Sequence, residues 1–395
     1  MNCGICNNAN LETFLSLGMQ PLANKYPTRE QIGSEDFFPI EMNFCERCKN
    51  VQIGTTVSRA RMFEDYYYLS SVNPGLVRHF EALAKKLANA KFVVDIGSND
   101  GILLKPLKEL GVKALGVEPS INVSKIANDA GLATMTAFFN EESVRKIVSE
   151  YGKSDVIIAS SVFTHLENPH QCIEGVKKLM TEDGSFIIEV EYIGNMIEKI
   201  QFERFYLDRI FYYSLTSLKN LFELHGMFVA DVEHIEPHGG SLRVTTRLAD
   251  AGTPMPVVAD MLKEEEWTLT PEKLEVFRKD VETSIAAFRD ILAEYKRKGL
   301  RVAGYGAPAR VATITNYGSI GPDLIEFIVD DSPLKQGRFS PGKHIPIVPN
   351  AHLAQNEPDI LVVFAYEYFE DIRKKARGKY RYLIPIPPRE IPNPS

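Results

Sequence analysis
The sequence predicts an α/β protein in three parts: a small cysteine-rich unit, a doubly wound parallel sheet, and a second, smaller α/β unit. Three observations carry this. Two C-x2-C pairs frame the first fifty residues. Short β-branched runs alternate with helical patterns from about residue 75 to residue 192, the signature of a parallel sheet with crossover helices. The same alternation restarts at residue 301, after one long amphipathic stretch. A length of 395 residues suits two or three domains. With 44% hydrophobic and 25% charged residues the chain is globular, which excludes a disordered or fibrous protein. A net charge of −7 gives no reason to expect nucleic acid or an anionic membrane as partner. No run of eighteen uncharged apolar residues marks a membrane span, and MNCGICNNAN lacks the basic and apolar regions of a signal peptide. The cytoplasm is the expected location and a monomer the expected state.

The first pair is Cys3-Gly-Ile-Cys6 and the second Cys45-Glu-Arg-Cys48. A C-x2-C turn aims two thiolates at one centre, and two such turns complete a tetrahedral zinc site. Such a closed site is structural, because no coordination position is left for substrate. Residues 7–44 between the pairs hold proline, glycine and short apolar runs, as a small β-rich insert would. Cys172 is left over and reads as a core residue.

A helical pattern covers about 75–90. FVVDIG (92–97) is the first strand of the sheet, followed by helix 101–111, strand 113–119, helix 121–131, strand 154–161, helix 170–181 and strand 184–192. Residues 228–250 read as a terminal hairpin around His238-Gly239-Gly240. From 271 to 299, Leu274, Phe277, Val281, Ile285, Phe288, Ile291, Leu292 and Tyr295 recur mostly at steps of three and four, so this is a long connector helix buried on one face. Strands at 301–309, 324–331 and 359–367 build the last unit.

Two glycine loops follow strands. Asp95-Ile96-Gly97-Ser98-Asn99-Asp100-Gly101 lacks the G-x-G-x-x-G spacing of a dinucleotide site. Glu118 ends the next strand, where a carboxylate can take both ribose hydroxyls of a nucleoside. A glycine-lined turn without phosphate spacing, plus a ribose carboxylate, fits S-adenosylmethionine better than NAD, with Gly97 and Gly101 letting the methionine part lie against the backbone. Asn99 stands where the commonest methyltransferase loop has glycine. In the second loop, Gly304-Tyr305-Gly306-Ala307-Pro308-Ala309, the third fingerprint glycine is missing, so turn geometry or a phosphate at the helix start is preferred to NAD. Lys335, Arg338, Lys343 and His344 nearby could meet a diphosphate or form a solvated loop.

Together these segments resemble the nucleotide-sugar C-methyltransferase family of the tetronitrose C-3′-methyltransferase type. The matching stretches are the two cysteine pairs, Tyr66-x-Tyr68-x-Ser70-Ser71, DIGSNDG (95–101), Val162-x-x-His165, HGGSLR (238–243), YGAPA (305–309) and DDSPLKQGRFSPGKHIPI (330–347). The resemblance implies a zinc-binding domain over 1–65, a class I S-adenosylmethionine methyltransferase domain over 66–255, and a connector helix with a Rossmann-like domain that binds no NAD over 256–395. It implies a nucleotide-linked (TDP or GDP) 4-keto-6-deoxysugar as substrate and S-adenosylmethionine as methyl donor. The expected cofactor-binding residues are Asp95, Gly97, Asn99, Asp100, Gly101, Glu118, Pro119, Ser160 and Phe138, the last as a cover for adenine or a core ring. Cys3, Cys6, Cys45 and Cys48 are the expected zinc ligands.

Methylating carbon requires a carbanion equivalent, so a base must form an enolate beside the keto group and a donor must meet the oxyanion. The family places Tyr-His-Glu-His after the fifth strand, with the last histidine as favoured base. Here the stretch is Tyr206-Leu207-Asp208-Arg209. Arginine is permanently protonated and a poor base, though it can hold an enolate or a phosphate. Three readings stay open. Another group is the base, with Asp208, His165, Tyr68, Tyr206 and His238 as candidates; or Arg209 binds an added acidic group; or the acceptor is an oxygen or nitrogen and no base is needed. The first is preferred, since His165 matches the histidine of the family's motif and an unperturbed imidazole titrates near neutral pH. The rivals are an O- or N-methyltransferase on a related sugar and a catalytically lapsed sugar-nucleotide-binding protein.

Overall fold
The computed structural model describes residues 1–58, 62, 69–376, 378 and 380–391. The expected site residue Tyr68, with Tyr66 and Tyr67, lies outside them. Three sheets follow one another along the chain. The first has β1 (Glu12–Pro21), β2 (Phe37–Cys45) and β3 (Asn50–Ile53) in antiparallel pairs, so residues 7–44 do form a β-rich insert.

The central sheet contains β4 (Phe92–Ile96), β5 (Lys113–Glu118), β6 (Thr134–Thr136), β7 (Ser154–Ser160) and β8 (Met180–Glu191). A two-residue strand, β9 (Phe211–Tyr212), then leaves this unit and pairs with β3, closing the first sheet in the order β1-β2-β3-β9. The hairpin β10 (Met227–Ile235) and β11 (Ser241–Leu248) ends the central sheet, whose order is β10-β11-β8-β7-β4-β5-β6. All neighbours from β6 to β8 are parallel, and β11 runs antiparallel to both β8 and β10. This is the doubly wound class I methyltransferase arrangement. β4 is buried along its whole length, as a strand covered on both faces must be.

Helix α1 (Pro74–Lys86) precedes this sheet, started by Pro74 and by Asn73, whose side chain accepts from Gly75 N and Leu76 N. The helix expected at 101–111 is shorter, Leu104–Glu109. Asn99 (φ 49°) and Gly101 (φ 84°) are left-handed and delay its start. Helix α2 (Pro169–Leu179) lies between β7 and β8.

The long helix α3 (Pro271–Arg297) buries Leu274, Phe277, Val281, Ile285, Phe288, Leu292 and Tyr295. Its apolar face does more than connect. Phe277 meets Phe14 of β1 (6.3 Å) and Phe205 of the central unit (6.2 Å), and those two meet each other at 6.5 Å. These rings join all three sheets in one core. The last sheet has β12 (Val302–Tyr305), β13 (Ile328–Val329), β14 (Ile347–Val348), β15 (Ile360–Val363), β16 (Arg381–Ile384) and β17 (Arg389–Ile391), ordered β14-β13-β12-β15-β16-β17 and parallel except for β17. Helix α4 (Arg310–Tyr317) follows its first strand. Among the described residues no helix is long and apolar enough to cross a membrane.

Candidate functional site
The four cysteine sulfurs lie within 4.8 Å of one another. Cys3 Sγ is 3.5 Å from Cys48 Sγ, and Cys6 Sγ is 3.6 Å from Cys45 Sγ. Zinc–sulfur bonds of about 2.3 Å in a tetrahedron need sulfurs about 3.8 Å apart, so the donor set fits zinc. Side-chain amides of Asn8 and Asn50 donate to Cys45 Sγ and Cys3 Sγ (3.5 and 3.8 Å), which steadies the sulfurs as thiolates. The knuckle leans on α2: His170 Nε2 meets the Gly4 carbonyl at 3.1 Å, and His170 Nδ1 meets His225 Nε2 at 2.8 Å. Cys172 stands apart in the core, its thiol pushed up to about 12 by burial.

The first glycine loop folds around a buried acid. Glu118 accepts from Asn99 N (3.1 Å) and Ser120 N (2.8 Å), which pins the loop over the end of β5. At Gly97 (φ 72°) a β-carbon would come within 2.8 Å of Val162, so no larger residue fits. Asn99 and Asp100 reach outward to a strap: Asn99 Oδ1 accepts from Ser70 N (2.9 Å), and Asp100 Oδ2 accepts from Ser71 N (3.1 Å) and Ser71 Oγ (2.5 Å).

A cavity of about 940 Å³ opens beyond this loop and touches all three units. Asp95, Gly97, Asn99 and Ser160 line it on the sheet side; Asn24 borders it from the zinc unit, and Arg310 and Lys335 from the last unit. Glu118, Asp100, Gly101 and Pro119 are not among the lining residues. Phe138 is 51% exposed and also outside it, so here it covers nothing in this cavity. Asp95 is buried, and burial together with the charges of Glu118 and Glu189 pushes its carboxyl up to about 8.

His165, Tyr206, Asp208, Arg209 and His238 all reach the same cavity. His165 Nδ1 meets the Asp208 carbonyl at 2.5 Å, and Asp208 Oδ2 accepts from Asn24 Nδ2 at 2.6 Å. Arg209 forms a buried ion pair with Glu191 and stacks over the Tyr206 ring, 4.6 Å from its centroid. Burial works against the charge of Arg209, but Glu191 together with Tyr206, Tyr212 and Asp208 more than offsets it, and the guanidinium stays protonated. Burial pushes the Tyr206 phenol up to about 12, so it remains a donor. His238 sits in the β10–β11 turn at φ 56°, followed by Gly239 and Gly240, also at positive φ. Burial pulls its imidazole below the ordinary value, against the opposing charge of Glu191. It is therefore neutral, and able to accept a proton, at neutral pH.

One cluster on this wall was not singled out by the sequence. Glu189 accepts from His79 Nε2 (2.9 Å), Ser160 Oγ (2.6 Å) and Arg243 Nε (2.8 Å). Burial would raise its carboxyl, but His79, Arg243 and Ser160 hold it well below the usual range. The available signal was Glu189 and Glu191, two apart among Phe186, Ile187, Ile188 and Val190 and so on one face of the strand. Two of the cationic residues after β13, Arg338 and His344, have a different use from the diphosphate contact considered for them. Arg338 Nη1 donates to the Tyr26 carbonyl (2.9 Å), and His344 Nε2 meets Glu35 (2.5 Å), so both fasten the zinc unit. Of the four cationic residues, Lys335 alone lines the cavity.

The chain is similar to known proteins along nearly its whole length. It matches a zinc binding domain family over residues 3–63, a methyltransferase domain family over 68–231 and a C-methyltransferase C-terminal domain family over 236–387. It is 31% identical over 404 residues to the C-methyltransferase NovU of Streptomyces niveus, covering 98% of this chain and 96% of that protein. A ubiquinone biosynthesis O-methyltransferase of Glaesserella parasuis is 27% identical over 104 residues, which are 25% of this chain and 44% of that one. Among solved structures, the CcbJ methyltransferase of Streptomyces caelestis gives a TM-score of 0.37 at 13% identity, covering 48% of this chain and 96% of its own.

Proposed function
The chain belongs to the C-methyltransferase family, as an S-adenosylmethionine-dependent enzyme with a zinc domain, and on that premise we propose that it methylates a carbon of a nucleotide-linked 4-keto-6-deoxysugar through an enolate. The observation that carries this reading is the single cavity. It runs from the Gly97 loop to the cationic Arg310 and Lys335 of the last unit, with the His238 imidazole on its wall. A volume near 940 Å³ is at the upper end for one small ligand and suits two placed end to end.

S-adenosylmethionine, when bound, supplies a methyl group on a positively charged sulfur. Asp95, Gly97, Asn99 and Ser160 would hold it, and Glu118 keeps their loop in shape. Arg310 and Lys335 offer charge to the diphosphate of the sugar nucleotide. His238 takes the proton from the carbon beside the keto group. Arg209 cannot do this, because it keeps its proton. Asp208 serves Asn24 and His165 instead and is assigned a positioning part. Zinc at Cys3, Cys6, Cys45 and Cys48 is structural; it would tie the knuckle of Cys3 and Cys6 to the turn between β2 and β3 that carries Cys45 and Cys48.

The test is mass spectrometry of the protein with S-adenosylmethionine and a panel of TDP- and GDP-4-keto-6-deoxysugars in D2O. Expected are a gain of one methyl group and enzyme-dependent deuterium in the unmethylated sugar, both falling about 10²–10⁴-fold in His238→Gln. Methyl gain on a reduced or amino sugar without exchange would overturn carbon methylation.

A further inference from the structure
We propose that Arg209 holds the keto oxygen of the substrate as it becomes an enolate, and that Glu191 positions the guanidinium for this. The inference rests on the reading of function just given. Arg209 lines the cavity and Glu191 does not, so the arginine stands between the carboxylate and the substrate space. Nη2 of Arg209 is bonded to Glu191, whereas Nε and Nη1 are buried with no acceptor. Buried donors on a charged group are nearly always paired, and an oxygen gaining negative charge beside them is the acceptor this wall is short of. The Tyr206 ring under the guanidinium fixes its plane, and the Tyr206 hydroxyl is a second donor on the same wall.

The charges balance across the step. The C–H pair becomes the C=C bond, the carbonyl π pair moves to oxygen, and the proton goes to His238. A cation then stands at His238 and an anion at the oxygen. Glu191, close to both His238 and Arg209, compensates the first, and Arg209 the second. When the methyl arrives, the oxygen's pair re-forms the C=O bond and the C=C pair forms the new C–C bond. The S–CH3 pair leaves with sulfur, and His238 passes its proton to water.

The experiment compares wild type, Arg209→Met, Glu191→Gln and the charge-neutral double variant Glu191→Gln/Arg209→Gln, the last included because Arg209→Met leaves a buried carboxylate alone. Deuterium entry from D2O into TDP- and GDP-4-keto-6-deoxysugars, kcat, KM and S-adenosylmethionine affinity are measured. In Arg209→Met and the double variant, exchange and kcat should fall together by about 10²–10³, with KM and cofactor affinity within threefold. Glu191→Gln should move the acid limb of the rate profile to lower pH, because His238 loses the charge that supports its protonation; a merely structural role would not do so. Exchange within threefold of wild type in the folded double variant overturns the assignment, as does a rise in KM with kcat unchanged, which would make Arg209 an anchor for an acidic substituent. A wild type that methylates a sugar without exchange sinks the enolate reading itself, whereas wild-type exchange with unaffected variants sinks this assignment alone.

Discussion
The two glycine loops are built alike and are used differently. In the first, Gly97 N donates to the Val117 carbonyl (2.8 Å) at the end of the neighbouring strand, and Glu118 there accepts from the loop amide of Asn99 and from Ser120 N, two residues on. In the second, Gly306 N donates to the Val329 carbonyl (2.7 Å), and Asp330 accepts from the loop amide of Ala307 (2.7 Å) and from Ser332 N (2.9 Å), again two residues on. What lies over the loops separates them. The first faces the cavity with Asp95, Gly97, Ser98 and Asn99, whereas the second reaches it only with its last residues, Pro308 and Ala309. Over the second, Tyr26 of the zinc unit and Lys335 both donate to the Ala307 carbonyl, at 2.7 and 2.9 Å. A glycine turn with an acid at the next strand end is thus first a way of satisfying backbone amides. It becomes a ligand site only where the rest of the chain leaves it open.

The largest effect should separate Gly97→Ala from Gly306→Ala. Both positions have left-handed backbone, and a β-carbon would meet Val162 at 2.8 Å in one and Ala365 at 2.7 Å in the other. Each substitution should cost about 1–2 kcal/mol for the backbone alone, a loss of a few degrees in Tm. Gly97→Ala should in addition weaken S-adenosylmethionine binding about 100-fold by calorimetry, while Gly306→Ala leaves it within about twofold. Equal losses of cofactor affinity would break the distinction between an open and a covered loop.

This pair also shows what was legible in the sequence. The cysteine pairs, the alternation of strands and helices and the α3 stripe are local patterns, and local chemistry fixes them. The first loop reads as a cofactor turn and the second as plain turn geometry or a phosphate site, and local chemistry cannot separate them further because it is the same in both. The lid on the second is Tyr26, and neither its side chain nor its neighbours announce a partner at Ala307. Arg338 and His344 were ambiguous for the same reason: their partners Tyr26 and Glu35 lie at the far end of the chain. His79 carries no signal of its own in the sequence, because its helix pattern is ordinary; its meaning comes from Glu189, which β11 equips with Arg243 directly across the strand pair. Arg209 was visible as a departure from the resemblance, but its ion pair with Glu191 needed the fold.

A smaller effect follows from Asp95 on the open loop. Its folded value of about 8 stands above the unfolded value of about 3.9. The native state is therefore favoured by this group below about pH 4, and that contribution is lost as pH rises towards 8. A bound sulfonium and ammonium would favour the ionised carboxylate, so cofactor binding near pH 6.5 should release about one proton per molecule. Titration calorimetry in two buffers of different ionisation enthalpy measures this directly, and Asp95→Asn should abolish it. No proton release in wild type would mean that the cofactor's charge lies away from Asp95.

The smallest effect concerns the cover of the second loop. Tyr26→Phe removes the 2.7 Å bond to the Ala307 carbonyl but leaves Lys335 as a donor to the same oxygen. The acceptor stays satisfied, so the loss should be only about 0.5–1 kcal/mol, with cofactor affinity unchanged. Lys335→Met should likewise be mild on stability if Tyr26 remains. In the double variant the carbonyl loses both donors, and the destabilisation should exceed the sum of the single losses by about 1 kcal/mol or more. Strict additivity in denaturant titrations would show that the two side chains do not share this carbonyl. The second loop would then owe its covered state to packing alone rather than to the zinc unit's hydrogen bond.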